Sequence, residues 1–198
     1  MKSIFVLLVA CLVIANGQSQ RTEITFEVFL KEKKIGTLTA SEQRSSTTYV
    51  RDIKSNTDAK VLIVSVHVEA EVSATHENGS MIKGTAYRHA SRGPKDIHAH
   101  TSRIGDKKYK CEKDGVTHEI DNADISFCVI DLYFKEPTGI DRVFSNMYAA
   151  FIPVQLISPG KYKVTNPDDN ETIYTYSRGK LIMVEVDTPA GQVVTRRI

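Results

Sequence analysis

The chain has 198 residues, 41% hydrophobic and 25% charged, with 11 Gly, 6 Pro and no Trp. That composition excludes collagen-like, low-complexity and wholly disordered chains. The formal charge of +2 comes from interspersed acids and bases, and without a long single-sign block nothing attracts a polyanion, so no nucleic-acid partner is expected.

Residues 1–17 read as a signal peptide, with Lys2 as the charged start, an apolar run over 4–15, and small Ala15 and Gly17 before a cut at Gln18. Leu8-Val9-Ala10-Cys11 also matches the pattern that precedes a lipid-modified cysteine. Leu12, Val13 and Ile14 carry the apolar run past it, so a cleaved leader is the better reading. The expected mature protein is residues 18–198, one soluble domain placed extracytoplasmically, periplasmic or secreted. It is not membrane-spanning, because no other stretch approaches the roughly 20 apolar residues such a helix needs. Two cysteines remain, Cys111 and Cys128. An oxidising compartment permits a disulfide between them, and two buried free thiols on neighbouring strands fit the sequence equally well.

Period-two alternation dominates the rest of the chain. The first strands are expected over 24–30 and 35–40, a hairpin around Lys31 to Lys34, followed by a strand over 47–54 and a turn at Ser55-Asn56-Thr57-Asp58. Over 62–74 Leu62, Val64, Val66, Val68, Ala70, Val72 and Ala74 occupy the even positions and polar residues the odd ones from Ser65 to Ser73, one apolar and one wet face. Thirteen residues extend about 43 Å at ~3.3 Å each, so this strand must curve to stay on one core. The Asn78-Gly79 pair suits a tight hairpin.

Further strands are expected over 81–90, 97–103, 107–112 and 116–120, the last two around Lys113-Asp114-Gly115. Another is expected over 127–134, where only Asp131 is polar and both faces should be covered. Ile140, Val143, Phe144 and Met147 have the spacing of one short helix. Strands return over 150–157, 161–165, 172–177, 180–187 and 192–197, linked by turn chemistry such as Arg178-Gly179. The fold class is therefore all-β: a single strongly curved antiparallel meander sheet forming a barrel or half-barrel, lipocalin-like or lipoprotein-carrier-like, with one short helix.

Phe29-Leu30 and Ile35-Gly36-Thr37-Leu38 in the opening hairpin, Tyr133-Phe134-Lys135-Glu136-Pro137, and the closing run Gly179-Lys180-Leu181-Ile182-Met183-Val184-Glu185-Val186 resemble the uncharacterised families of secreted bacterial all-β proteins known only as domains of unknown function. The resemblance spans most of residues 18–198. It implies a curved antiparallel sheet or barrel and an extracytoplasmic place in a Gram-negative bacterium, and it carries no activity to transfer.

Chemistry-bearing motifs are few. His98 and His100 lie two apart on one strand face, the weak candidates for a metal site, with His89 and His118 as further nitrogens; solvated histidines are the simpler reading. His67 near Glu69 offers an acid and base pair, and Asp168-Asp169-Asn170-Glu171 offers oxygens without the spacing of a calcium loop. A nucleophile elbow and a phosphate loop are both missing from the sequence, so neither catalytic residues nor a cofactor are expected. The functional expectation is a non-enzymatic binder of a hydrophobic small molecule or lipid, held between the inner sheet face and the helix by Val64, Val66, Val68, Phe134, Val143, Phe144, Met147 and Phe151. The alternatives are a cell-envelope interaction module that pairs through open strand edges and, with less support, a histidine or carboxylate enzyme.

Overall fold

A computed structural model describes residues 20–61, 64–93 and 95–198. The leader read at 1–17 lies outside the described residues. The N-terminal half is β1 (Gln20–Leu30), β2 (Lys33–Arg44), β3 (Thr48–Val61), β4 (Val64–Glu77), β5 (Ser80–Ala90), β6 (Ile97–Gly105), β7 (Lys108–Lys113) and β8 (Val116–Ile120). After a crossing segment with a 3₁₀ turn at Val129–Tyr133 come β9 (Arg142–Ser145), β10 (Ala150–Ser158), β11 (Lys161–Thr165), β12 (Glu171–Ser177), β13 (Lys180–Thr188) and β14 (Gly191–Arg197).

All fourteen strands pair into one curved sheet in the order β8 to β1, then β14 to β9. Each half is a meander, and antiparallel pairing of β1 with β14 joins the two side by side. The sheet is a half-barrel rather than a closed barrel. Its hairpins carry the chemistry read from the sequence: Asn78-Gly79, Asp114-Gly115 and Arg178-Gly179 all have paired positive φ angles, the requirement of a type I′ turn.

The alternation on β1 sends Ile24, Phe26, Val28 and Leu30 inward and buries all four. On β4 the even positions face inward as expected, from half-buried Val64, Val66 and Val68 to fully buried Ala74 and His76. The hollow of the curve is filled by the crossing segment. Ala123 N–H donates to Lys107 O at 3.1 Å, Met81 N–H to Ile125 O at 2.8 Å, and Phe144 N–H to Phe127 O at 2.9 Å, so the segment is stitched to the β6–β7 turn, β5 and β9 in turn. These bonds satisfy a backbone that would otherwise be buried without partners.

Three local expectations are corrected. The turn placed at Ser55-Asn56-Thr57-Asp58 is strand: β3 continues to Val61, pairing Ser55 with Ala70 and Asp58 with His67. Lys54, Asn56, Asp58 and Lys60 form its exposed face while Ser55, Thr57 and Ala59 are half-buried, so this polarity belongs to an alternating strand. β3 and β4 stay paired as far as Val61 and Val64, and residues 62–63, Leu62 of the expected run among them, lie outside the described residues.

The second correction concerns 140–147, which is not helical. Val143 and Phe144 lie on β9, both fully buried, and residues 146–149 turn with Ala149 at φ 52°. Helical spacing arose here because β9 is covered on both faces: Phe144 packs edge-on against Phe151 while its backbone meets Phe127 and Cys128.

Third, 127–134 is not a central strand but the crossing segment with its 3₁₀ turn. Its apolar character on all sides is that of a segment wrapped inside a curved sheet.

Candidate functional site

Cross-strand register builds a row of inward residues across half the sheet. Glu42 faces Arg51, Arg51 faces Ala74, Ala74 faces Gly84, Gly84 faces Thr101 and Thr101 faces Cys111. The small pair at the centre of the row, Ala74 and Gly84, leaves room for Asn146 of the turn after β9. A side chain at position 84 would collide with the Asn146 amide.

Asp131 descends onto this row from the 3₁₀ turn. Arg51 Nη1 donates to Asp131 Oδ1 at 2.6 Å, Arg51 Nε donates to Glu42 Oε2 at 2.7 Å, and the Cys128 amide donates to Asp131 Oδ2 at 2.6 Å. The Arg51 guanidinium also lies over the rings of Tyr49, 4.6 Å, and Phe134, 4.8 Å. Burial would raise the Glu42 carboxyl, but hydrogen bonds and charge from Arg44 and Arg51 outweigh it and hold the group below its usual range. A buried charge is tolerated when paired and hydrogen-bonded on all sides, and Arg51 meets both conditions.

Beside this pin, His76 on β4 and Cys128 on the crossing segment come together, both fully buried. His76 Nε2 is 3.8 Å from Cys128 Sγ and 3.7 Å from Asp131 Oδ2. Its ring stacks on Tyr49 at 4.5 Å, and among the described residues its Nδ1 has no hydrogen-bond partner. Burial, with Arg51 adding to it, pushes the imidazole pKa down against the pull of Asp131 and Asp124. Burial and Asp131 push the Cys128 thiol well above its ordinary value, against Arg51.

Cys, His and Asp in contact suggest a nucleophile with its base, but the geometry is not that of a catalytic triad. There the acid orients one ring nitrogen and the nucleophile meets the other; here both face Nε2. Both side chains are fully buried, and burial favours the protonated thiol, so the arrangement is not that of an activated nucleophile. It can lock the interior to the sheet or hold a metal ion, since His76, Cys128 and Asp131 each offer a ligand atom within 4.8 Å of the others.

The residues singled out from sequence lie elsewhere. His98 and His100 are exposed on the outer face of β6. His67 is bound to Asp58 at 2.9 Å and His89 to Asp96 at 2.8 Å, both at the surface, and His118 Nε2 lies 3.1 Å from Ala149 O. Asp168 accepts from Tyr148 Oη at 3.0 Å within a hairpin tip. Cys111 and Cys128 are both free and buried, Cys111 on β7 and Cys128 on the crossing segment rather than on a neighbouring strand.

Of the eight residues expected to line an apolar cleft, Val143 and Phe144 are core, Phe134 and Phe151 pack against it, and Met147 is half-buried in the turn after β9. The first four side chains pack into or against the core between the sheet and this segment. Val64, Val66 and Val68 lie apart from them, half-exposed along the outer reach of β4. On the opposite face an open cleft of about 510 Å³ is lined by Thr37, Thr39, Lys54, Asn56, Glu69 and Tyr87, a polar surface.

Sequence reasoning passed over His76, Arg51, Asp131 and Met81, although the signal was present. His76 falls on the even, inward positions of the long alternation, Arg51 sits between Tyr49 and Ile53 on an inward face, and Asp131 is the single polar residue in an apolar run. A charge in such a place needs a buried partner of opposite sign.

The fold and cluster define a class: an open antiparallel half-barrel whose hollow is occupied by its own crossing segment, pinned by a buried arginine between two carboxylates. The chain belongs to a family described as a domain of unknown function, DUF6134, whose model matches residues 26–198. No curated protein and no solved structure shows significant similarity to it. Among the described residues no helix is long and apolar enough to cross a membrane.

Proposed function

We propose that this protein is an exported, non-enzymatic binder of an apolar ligand such as an acyl chain. The observation that carries the reading is the inward face of β4 beyond the packed interior. Val64, Val66, Val68 and Ala70 each stay half-exposed there, flanked on β3 by half-buried Ser55, Thr57 and Ala59. The track from Val64 to Ala70 extends about 20 Å at ~3.3 Å per residue, with Ala90 opposite Val68 and the charged Arg88 opposite Ala70 at its inner end. An apolar ligand laid along it gains the free energy of removing both surfaces from water. The cluster at Cys128 and His76 supports a non-catalytic role, since its groups are neither activated nor accessible.

The test is binding of a fluorescent fatty acid to the purified protein, with native mass spectrometry of material from the producing cells. Saturable binding that is lost in Val66→Asp and Val68→Asp while the circular dichroism spectrum is retained supports the reading; no saturable binding, or binding indifferent to both substitutions, refutes it. A second reading, pairing with a partner strand, is favoured by β8, which is exposed at four of its five positions with Val116 at 70%. Its signature is self-association or partner capture lost in Val116→Lys.

A further inference from the structure

We propose that His76, Met81 and Cys128 form a buried binding site for a monovalent soft metal ion, Cu(I), independent of the apolar track on β4. Three segments bring the ligands together. β4 supplies His76 and β5 supplies Met81, directly opposite it in register; a shift in the ladder between Thr75 and His76 makes this pairing, and such irregularities re-aim side chains. Cys128 comes from the crossing segment, its amide fixed by the Asp131 carboxylate.

The spacing fits. Bonds of about 2.0 Å to nitrogen and 2.3 Å to sulfur, opened to 109–120°, place N and S roughly 3.5–3.7 Å apart and two sulfurs about 3.8 Å apart. The observed separations are 3.8 Å from His76 Nε2 to Cys128 Sγ and 3.6 Å from Cys128 Sγ to Met81 Sδ. At these two separations an ion shared by Cys128 with either neighbour needs only small side-chain adjustments.

Independently, His76 is completely buried and makes no strong hydrogen bond. Among the described residues its Nδ1 has no partner, and Nε2 faces only the Cys128 sulfur and, at 3.7 Å, Asp131 Oδ2. Buried imidazoles are ordinarily hydrogen-bonded, and a ring left in this condition with its Nε2 turned to the Cys128 sulfur is what a metal ligand looks like.

Charge and donor type choose the ion. Thiolate with thioether is a soft donor pair that favours Cu(I). Binding replaces the Cys128 Sγ proton by one monovalent cation, thiol plus Cu(I) giving Cu(I)-thiolate plus a released proton, so the net charge of the buried space is unchanged. A dication would add a positive charge near Arg51, whose partner Asp131 is already committed to the guanidinium and the Cys128 amide. Asn146 Nδ2, 3.8 Å from Met81 Sδ, is the one other polar contact of the thioether among the described residues.

The experiment is competition for Cu(I) under ascorbate between the purified protein and the chromophoric chelator bicinchoninate, with X-ray absorption to identify the scattering atoms. The expected result is one Cu(I) per chain with mixed nitrogen and sulfur ligation, abolished by Cys128→Ser. Met81→Leu keeps the side-chain volume and should weaken binding by about tenfold or more, as loss of even an outer partner does, with the unfolding transition unchanged. His98→Ala and His100→Ala should bind as the parent does. Failure to hold Cu(I) against the chelator, retention undiminished in Cys128→Ser, or preferential binding of Zn(II) would each overturn the proposal.

Discussion

Arg51 is 7% exposed and takes two carboxylates at 2.6–2.7 Å. Removing one partner leaves a buried charge, so Asp131→Asn should cost about 3–5 kcal/mol in urea unfolding, while replacing both Arg51 and Asp131 by apolar residues of similar volume should cost less than the sum. A loss under about 1 kcal/mol for Asp131→Asn, the range of a surface pair, would contradict this role. The acid limb is set partly by Glu42. Its folded pKa lies below the unfolded value, so the stability it contributes is present above about pH 4.3 and is lost as pH falls through the folded value. Glu42→Gln should lower stability at neutral pH and flatten the decline between roughly pH 4 and the acid transition, and an unaltered acid profile would remove Glu42 from the account. At Gly84 the collision is with the Asn146 side chain, which is 3% exposed and has little room to give. Gly84→Ala should therefore cost about 1–3 kcal/mol as overpacking does, and adding Asn146→Ala should recover part of it.

At the scale of elements, alternation was a dependable guide wherever one face is wet. The strands at 24–30, 81–90 and 172–177, and the long inward run of even positions on β4, were legible because a half-buried strand leaves its period in the sequence. The crossing segment and β9 left no such period. Both are covered all round, and an apolar run without a wet face is compatible with strand, 3₁₀ turn or helix, which is how Val143, Phe144 and Met147 came to read as a helix face. β3 was read short because Asn56 and Asp58, its outward rungs, are also turn formers. The site suffered differently. Cys128 and His76 are 52 positions apart, and no local pattern brings them together; only the register of β4 with β5 and the path of the crossing segment do so.

At the scale of the molecule, the protein is a sheet that closes over its own chain. Pairing of β1 with β14 makes the two meanders one body, and residues between β8 and β9 supply the core that neither could bury alone. The interior of the curve is packed with the protein's own residues, and the sheet outruns that filling along Val64 to Ala70, where the proposed ligand would lie. The most direct measurement of this architecture is alkylation of native protein followed by peptide mapping of Cys111 and Cys128. Both thiols should stay unmodified until the protein unfolds, then react together. Labelling of Cys128 in the native state, or recovery of a peptide linking Cys111 to Cys128, would contradict a crossing segment sealed inside the curve.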